Sequence, residues 1–293
     1  MARVLVIGGK GMLGHKLVQQ LSDNFEVFAT LRTSFDTIEP YRFIHRERVI
    51  GGVNVNSDAD LARAFDKARP DVVINAVGVV KQLPTSDDVV TTLKANSILP
   101  HRLHQMSAEY GFRLILISTD CVFAGDKGNY SEEDKADALD IYGSSKRLGE
   151  VIADRCLTIR TSIIGRELST DHSLIEWFLS NRGGHVKGFT RAIYSGFPTV
   201  VFADIIADLL VKHTDLEGLY HISSEPIDKF RLLSIVNSAY KLGIEIEPDE
   251  TFKIDRSLNS SKFRAATNFV PPDWETMIDR MKSDPTPYDR WRK

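Results

Sequence analysis

Tyr142 and Lys146 stand four residues apart in YGSSK. On a helix that spacing stacks the two side chains on one face, a turn apart. Ketone reduction uses such a pair, because a carbonyl oxygen receiving hydride must be protonated as its charge develops. A free phenol has a pKa of about 10, and an adjacent ammonium is expected to lower it into the range of a working general acid. None of the other seven tyrosines has a lysine four residues on. Ser118 and Thr119 close the apolar run RLILIST (113–119), where a hydroxyl would orient the carbonyl against Tyr142. Either hydroxyl alone reads equally well as a polar strand end.

A second constellation explains where hydride would come from. Gly8, Gly11 and Gly14 fall in GGKGMLG, directly after VLVI (4–7) and at the opening of MLGHKLVQQL (12–21). At a strand-to-helix junction the first glycine permits a tight turn and the second lets backbone N–H groups approach a pyrophosphate. The third lets the helix pack close to the sheet. The step from Gly8 to Gly11 departs from GxGxxG and suits dinucleotide sites of the short-chain type. An NAD site carries an acid about 20 residues beyond the glycines. Here FEVFATL (25–31) runs instead into Arg32, with no acid before Asp36. A planar guanidinium suits a 2′-phosphate, and Lys10 would add a second charge, so NADPH is expected in preference to NADH. Lys146 would also hold the ribose hydroxyls, with Asn96 completing the polar network around it.

The elements that must position these residues follow from periodicity. VLVI, FEVFATL, PDVVINAVG (70–78) and RLILIST read as buried strands. Helices are expected at 12–21, around Leu61 and Phe65 after Ser57-Asp58, around Leu99, Leu103 and Met106, and from Tyr142 on through LGEVIADR. Apolar strands separated by helices indicate an α/β fold, a Rossmann-type doubly wound parallel sheet. After about residue 165 the rhythm breaks. The expected division is a dinucleotide-binding domain over 1–165, with 189–215 returning to it, and a smaller substrate-binding lobe mainly over 166–293. The last ten residues, DPTPYDRWRK, read as a tail.

Composition excludes other classes. The 293 residues are 42% hydrophobic and 26% charged with a net charge of −3, so no basic field exists for nucleic acid or an anionic membrane. No apolar run approaches the roughly 20 residues of a membrane span, and the amino terminus does not read as a signal peptide. Two cysteines, Cys121 and Cys156, make no disulfide framework, and a reducing cytoplasm is the expected setting. His101 and His104 lack accompanying ligands, so no metal is expected.

With these motifs in place the chain resembles the extended short-chain dehydrogenase/reductases, and within them the dTDP-4-dehydrorhamnose reductase group, along essentially its whole length. GGKGMLG, PDVVINAVG, STDCVFAG with KGNYSEED, IYGSSKRLGE, LTIRTSIIG, GFPT and GLYHISS carry the resemblance. It implies Thr119, Tyr142 and Lys146 as catalytic residues, and Gly11, Met12, Leu13, Ala76, Val77 and Gly78 as cofactor contacts. Thr119 and Asp120 would touch substrate, and Arg160 would lie on the strand feeding the substrate lobe. Two departures concern the sugar: Cys121 stands where the group often has an aromatic, and Ile163 where it often has a tryptophan. Trp177, Lys187, Tyr194 and Ser195 are candidates for contacts to the sugar or its diphosphate. The reading that results is an NADPH-dependent reductase of a nucleotide-diphosphate deoxysugar. A nucleotide-sugar 4-epimerase with resident NAD and a non-catalytic regulatory subunit are the alternatives. Oligomeric state stays open, a homodimer being one option.

Overall fold

The computed structural model describes residues 1–80 and 88–291. In chain order the elements are β1 (Arg3–Ile7), α1 (Met12–Leu21), β2 (Glu26–Thr30), β3 (Val49–Ile50), α2 (Asp58–Ala68), β4 (Val72–Asn75) and α3 (Val89–Leu93). A π-helical turn (Lys94–Ile98) leads into α4 (Leu99–Tyr110), β5 (Arg113–Thr119), α5 (Ile141–Leu148), β6 (Cys156–Thr161) and β7 (Ile163–Ile164). There follow α6 (Leu174–Ser180), β8 (His185–Tyr194), β9 (Phe197–Pro198), α7 (Thr199–Lys212), β10 (Gly218–His221), β11 (Ile227–Asp228) and α8 (Lys229–Tyr240). The chain finishes with β12 (Glu245–Asp255), α9 (Ser261–Thr267), α10 (Trp274–Lys282) and α11 (Tyr288–Trp291).

Seven strands form one parallel sheet in the order β10-β6-β5-β4-β1-β2-β3. Both faces are covered, as β1 shows residue by residue. Val4 and Val6 enter the core shared with α1 and α7, while Leu5 and Ile7 enter the core shared with α2 and α4. That two-sided burial is why these strands are apolar throughout rather than alternating. The strand order reverses between β4 and β1, and at such a switch point ligands bind beyond the carboxyl ends of the strands. The expected doubly wound sheet is therefore present.

Several boundaries differ from expectation for local reasons. The third expected strand ends at Asn75, whose side-chain oxygen accepts the Val77 N–H at 3.1 Å and turns the chain out of the sheet. Helix α5 stops at Leu148 instead of running to Arg155. A side chain on Gly149 would meet the Asn96 carbonyl at 1.9 Å, and Glu150 turns inward to bond Arg160. The short β3 was not expected. Residues 185–194 belong to a separate three-stranded sheet, order β11-β8-β12, so the return to the main body starts with α7, which lies against α1, and continues through β10.

The carboxyl end is no loose tail. Asp284 pairs with Lys16 at 2.5 Å with both side chains buried, and the His15 ring bridges Tyr288 and the glycine loop. His15 Nδ1 lies 2.8 Å from the Gly11 carbonyl and Nε2 lies 2.8 Å from the Tyr288 hydroxyl. Burial lowers the His15 pKa to about 4, so the ring is neutral. A carbonyl only accepts, so Nδ1 carries the proton and Tyr288 donates to Nε2. Arg292 and Lys293 of the expected tail lie outside the described residues.

Candidate active site

The glycine loop fits a dinucleotide on steric grounds. Gly8 sits at φ +90°, and a Cβ on Gly14 would lie 2.1 Å from the Gly8 carbonyl oxygen, so the loop can fold back on α1 only with glycine there. Gly11 precedes α1 and offers no side-chain cap, which leaves the first-turn N–H groups of Met12 and Leu13 directed at whatever lies beyond the helix. The loop is tied to β2 by Gly9 N–H to the Thr30 carbonyl at 3.0 Å and Gly8 N–H to the Thr30 hydroxyl at 3.2 Å. Arg32 follows two residues after that tie and is exposed. Lys10 is half-buried within it.

On the opposite side of the switch point, the segment after β4 passes Ala76, Val77 and Gly78 along the loop: the Val77 side chain would be 2.8 Å from a Cβ on Gly8. Asn96 fixes this segment. Its side-chain oxygen accepts the Val79 N–H at 2.9 Å, and its amide nitrogen donates to the Val79 carbonyl at 3.0 Å and the Ser145 hydroxyl at 3.1 Å. Asn96 thus ties the Val79 backbone to the Ser145 side chain, next to Lys146, rather than holding the lysine itself. It lies in the π-helical turn; turns of this kind recur at functional sites.

Thr119 and Tyr142 meet. The Thr119 hydroxyl donates to Asp120 at 3.0 Å, accepts the Cys121 N–H at 3.1 Å, and shares a hydrogen bond with the Tyr142 hydroxyl. Burial pushes the Tyr142 phenol above its ordinary range, Cys121, Asp120 and Asp140 push the same way, and the Thr119 bond opposes them. The expected lowering by Lys146 is not seen here, because the Lys146 ammonium donates to the Ile117 carbonyl at 2.6 Å. Burial lowers the Lys146 pKa to about 8, with Glu150 acting against it. A phenol so placed is fully protonated near neutral pH and can give a proton to an oxygen that develops charge beside it. Ser118, one residue back on β5, faces the other way and donates to Glu150 at 2.7 Å.

The substrate candidates divide. Asp120 is buried beside Thr119, its pKa raised by burial and opposed by Thr119, Arg256, Lys229 and Cys121. Tyr194 is buried at the end of β8, near enough to Asp120 that this carboxylate raises its phenol further. Ile163 is half-buried in β7, paired with Phe197 of the GFPT turn. Arg160 does not face the site: its guanidinium makes a two-armed ion pair with Glu150 at 2.7 and 2.8 Å and meets His221 at 3.2 Å. Ser195 is 2% exposed and accepts the Leu258 N–H at 3.0 Å, a backbone tie. Lys187 is exposed at the far end of β8, seven residues from Tyr194 and so about 23 Å away along the strand, where it pairs with Asp249 at 3.4 Å. Trp177 is 41% exposed on α6, its ring against Phe178. Two residues that periodicity passed over do converge here: Lys229 at the start of α8, and Arg256 just after β12. Asp228 ahead of an amphipathic run was a legible helix cap for the first, whereas nothing local marks Arg256. Among the described residues no cluster of His, Cys, Asp or Glu is arranged to hold a metal ion, and no helix is long and apolar enough to cross a membrane.

Comparison with known proteins agrees with this geometry. The spore coat polysaccharide biosynthesis protein SpsK of Bacillus subtilis is 26% identical, the match covering 78% of this chain and 75% of that one. A dTDP-4-dehydrorhamnose reductase of Aggregatibacter actinomycetemcomitans is also 26% identical, over 97% of this chain and 99% of its own. Among solved structures, a dTDP-4-dehydrorhamnose reductase of Bacillus anthracis in complex with NADP superposes with a TM-score of 0.81 at 20% identity, covering 97% of this chain and 100% of that one. The sequence model of the family described as RmlD substrate binding domain matches residues 2–285, and the chain belongs to that family.

Proposed function

We propose that the protein uses NADPH to reduce the keto group of a nucleotide-activated deoxysugar, in the synthesis of precursors for a polysaccharide or cell-surface glycan. The observation that carries this reading is the protonated Tyr142 hydroxyl bonded to Thr119 at the carboxyl edge of the sheet on which the glycine loop opens. Whole-length similarity to dTDP-4-dehydrorhamnose reductases supports the substrate class. Bound NADPH would supply the hydride. The loop from Gly8 to Gly14 would hold the pyrophosphate, Arg32 and Lys10 the 2′-phosphate, and Lys146 the ribose. Thr119 orients the carbonyl oxygen and Tyr142 gives it a proton. The lobe formed by β8, β11, β12 and α8 closes the sugar side.

Screening NADPH oxidation against dTDP-, UDP- and GDP-linked 4-keto-6-deoxysugars tests this reading, which expects turnover with one nucleotide series. Absence of turnover with all of them, with a nicotinamide cofactor already resident in the purified protein, would favour an epimerase instead. Arg32→Ala is expected to raise the NADPH Michaelis constant roughly ten-fold or more and to leave NADH nearly unchanged, since only the 2′-phosphate contact is lost. Equal losses with both cofactors would mean that Arg32 acts on the fold.

A further inference from the structure

Lys229 has no part in the chemistry above, yet the fold delivers it to the reacting end of the site. The register of β11 on β8 sets Ile227 against Tyr194. Asp228 then caps α8 by accepting the Arg231 N–H at 2.8 Å. Helical side chains lean toward their own amino terminus, so Lys229, the first helical residue, reaches back over the Tyr194 ring, its ammonium 4.1 Å from the ring centre. Asp120 and Cys121 attract it there, although burial lowers its pKa to about 8. The Tyr142 phenol interacts with the same Asp120 and Cys121. An acid from α5 and an ammonium from the second lobe therefore flank one pair of residues.

The neighbouring cation is already engaged. Arg256 donates from all three guanidinium nitrogens, to the Phe123 carbonyl at 2.8 Å, the Ala124 carbonyl at 3.3 Å and the Cys121 sulfur at 3.5 Å. Lys229 carries three N–H donors on a compact head, is half-buried as a residue, and is attracted by the Asp120 carboxylate. An anionic substituent would be repelled by Asp120. A hydroxyl, which accepts from an ammonium and donates to a carboxylate, satisfies both groups at once.

Resting on the reductase reading, we infer that Lys229 is a specificity-determining substrate contact whose ammonium, together with Asp120, binds a hydroxyl on the sugar carbon next to the one reduced. The test compares a nucleotide keto-sugar bearing that hydroxyl with its analogue deoxygenated there, using wild type, Lys229→Met and Lys229→Arg. Lys229→Met keeps the stem and removes the donor, so the Michaelis constant for the hydroxylated sugar should rise about ten-fold or more. That for the deoxygenated analogue should stay within roughly two-fold, because no partner is lost. NADPH affinity, read by fluorescence titration, should not move. Lys229→Arg keeps a charge over the Tyr194 ring but replaces a point donor by a planar fork, so it should fold like wild type and lose part of the preference. Equal losses with both sugars, or an unchanged preference in either variant that folds, would overturn the inference. A wild-type protein inert toward every nucleotide keto-sugar would overturn the reductase reading itself.

Discussion

Tyr142→Phe is expected to lower turnover by about 10²–10⁴-fold, the usual contribution of a positioned general acid. The substitution keeps the ring, its packing and the start of α5, and deletes one hydroxyl together with its bond to Thr119. Cofactor affinity should change little, because the glycine loop, Arg32 and Lys146 are untouched. Lys146→Met should differ by weakening NADPH binding as well as turnover. Steady-state kinetics beside NADPH fluorescence titration separates the two. Retention of more than about a tenth of wild-type turnover by Tyr142→Phe is more than loss of a general acid allows, and would remove Tyr142 from the role of proton donor.

Arg160→Met should destabilise the fold by about 3–5 kcal/mol, the range seen when one partner of a buried ion pair is removed. The Arg160 and Glu150 side chains are only 6% and 7% exposed. Without the guanidinium, Glu150 keeps the Ser118 hydroxyl, which donates at 2.7 Å, and the attraction of Lys146. Joint replacement of both partners by apolar residues should recover much of the loss, because no charge is then left buried. Urea unfolding reads both variants. A single-variant loss below about 1 kcal/mol, typical of exposed pairs, would show that this pair is solvated.

The glycine loop was legible because each glycine answers a local steric demand, the turn at Gly8 and the close approach at Gly14. Thr119 and Tyr142 were legible because a strand end and a helix start are themselves local signals. What periodicity could not show is where a polar side chain points once the chain has folded. Arg160 lies on a buried strand, and its sequence neighbours do not reveal that Glu150 breaks from a helix to meet it. Lys187 and Tyr194 share one strand, yet seven residues of extended chain carry Lys187 well away from Tyr194. Arg256 reaches Cys121 across 135 residues of sequence. Asp284 and Tyr288 belong to a segment that reads as polar and proline-broken, and it is buried because Lys16 and His15 on α1 offer partners.

The proposed reaction is hydride transfer from NADPH to a sugar carbon. It is tested most directly by supplying NADPH deuterated at C4, on each face in turn, with the nucleotide keto-sugar that gives turnover, and locating the label in the product by mass and proton spectra. One deuterium at the new carbinol carbon, matched one for one by NADPH oxidised and absent from the Tyr142→Phe reaction on the same time scale, is the predicted result. Product that carries no deuterium from either labelled face, or sugar epimerised without net NADPH consumption, would contradict it.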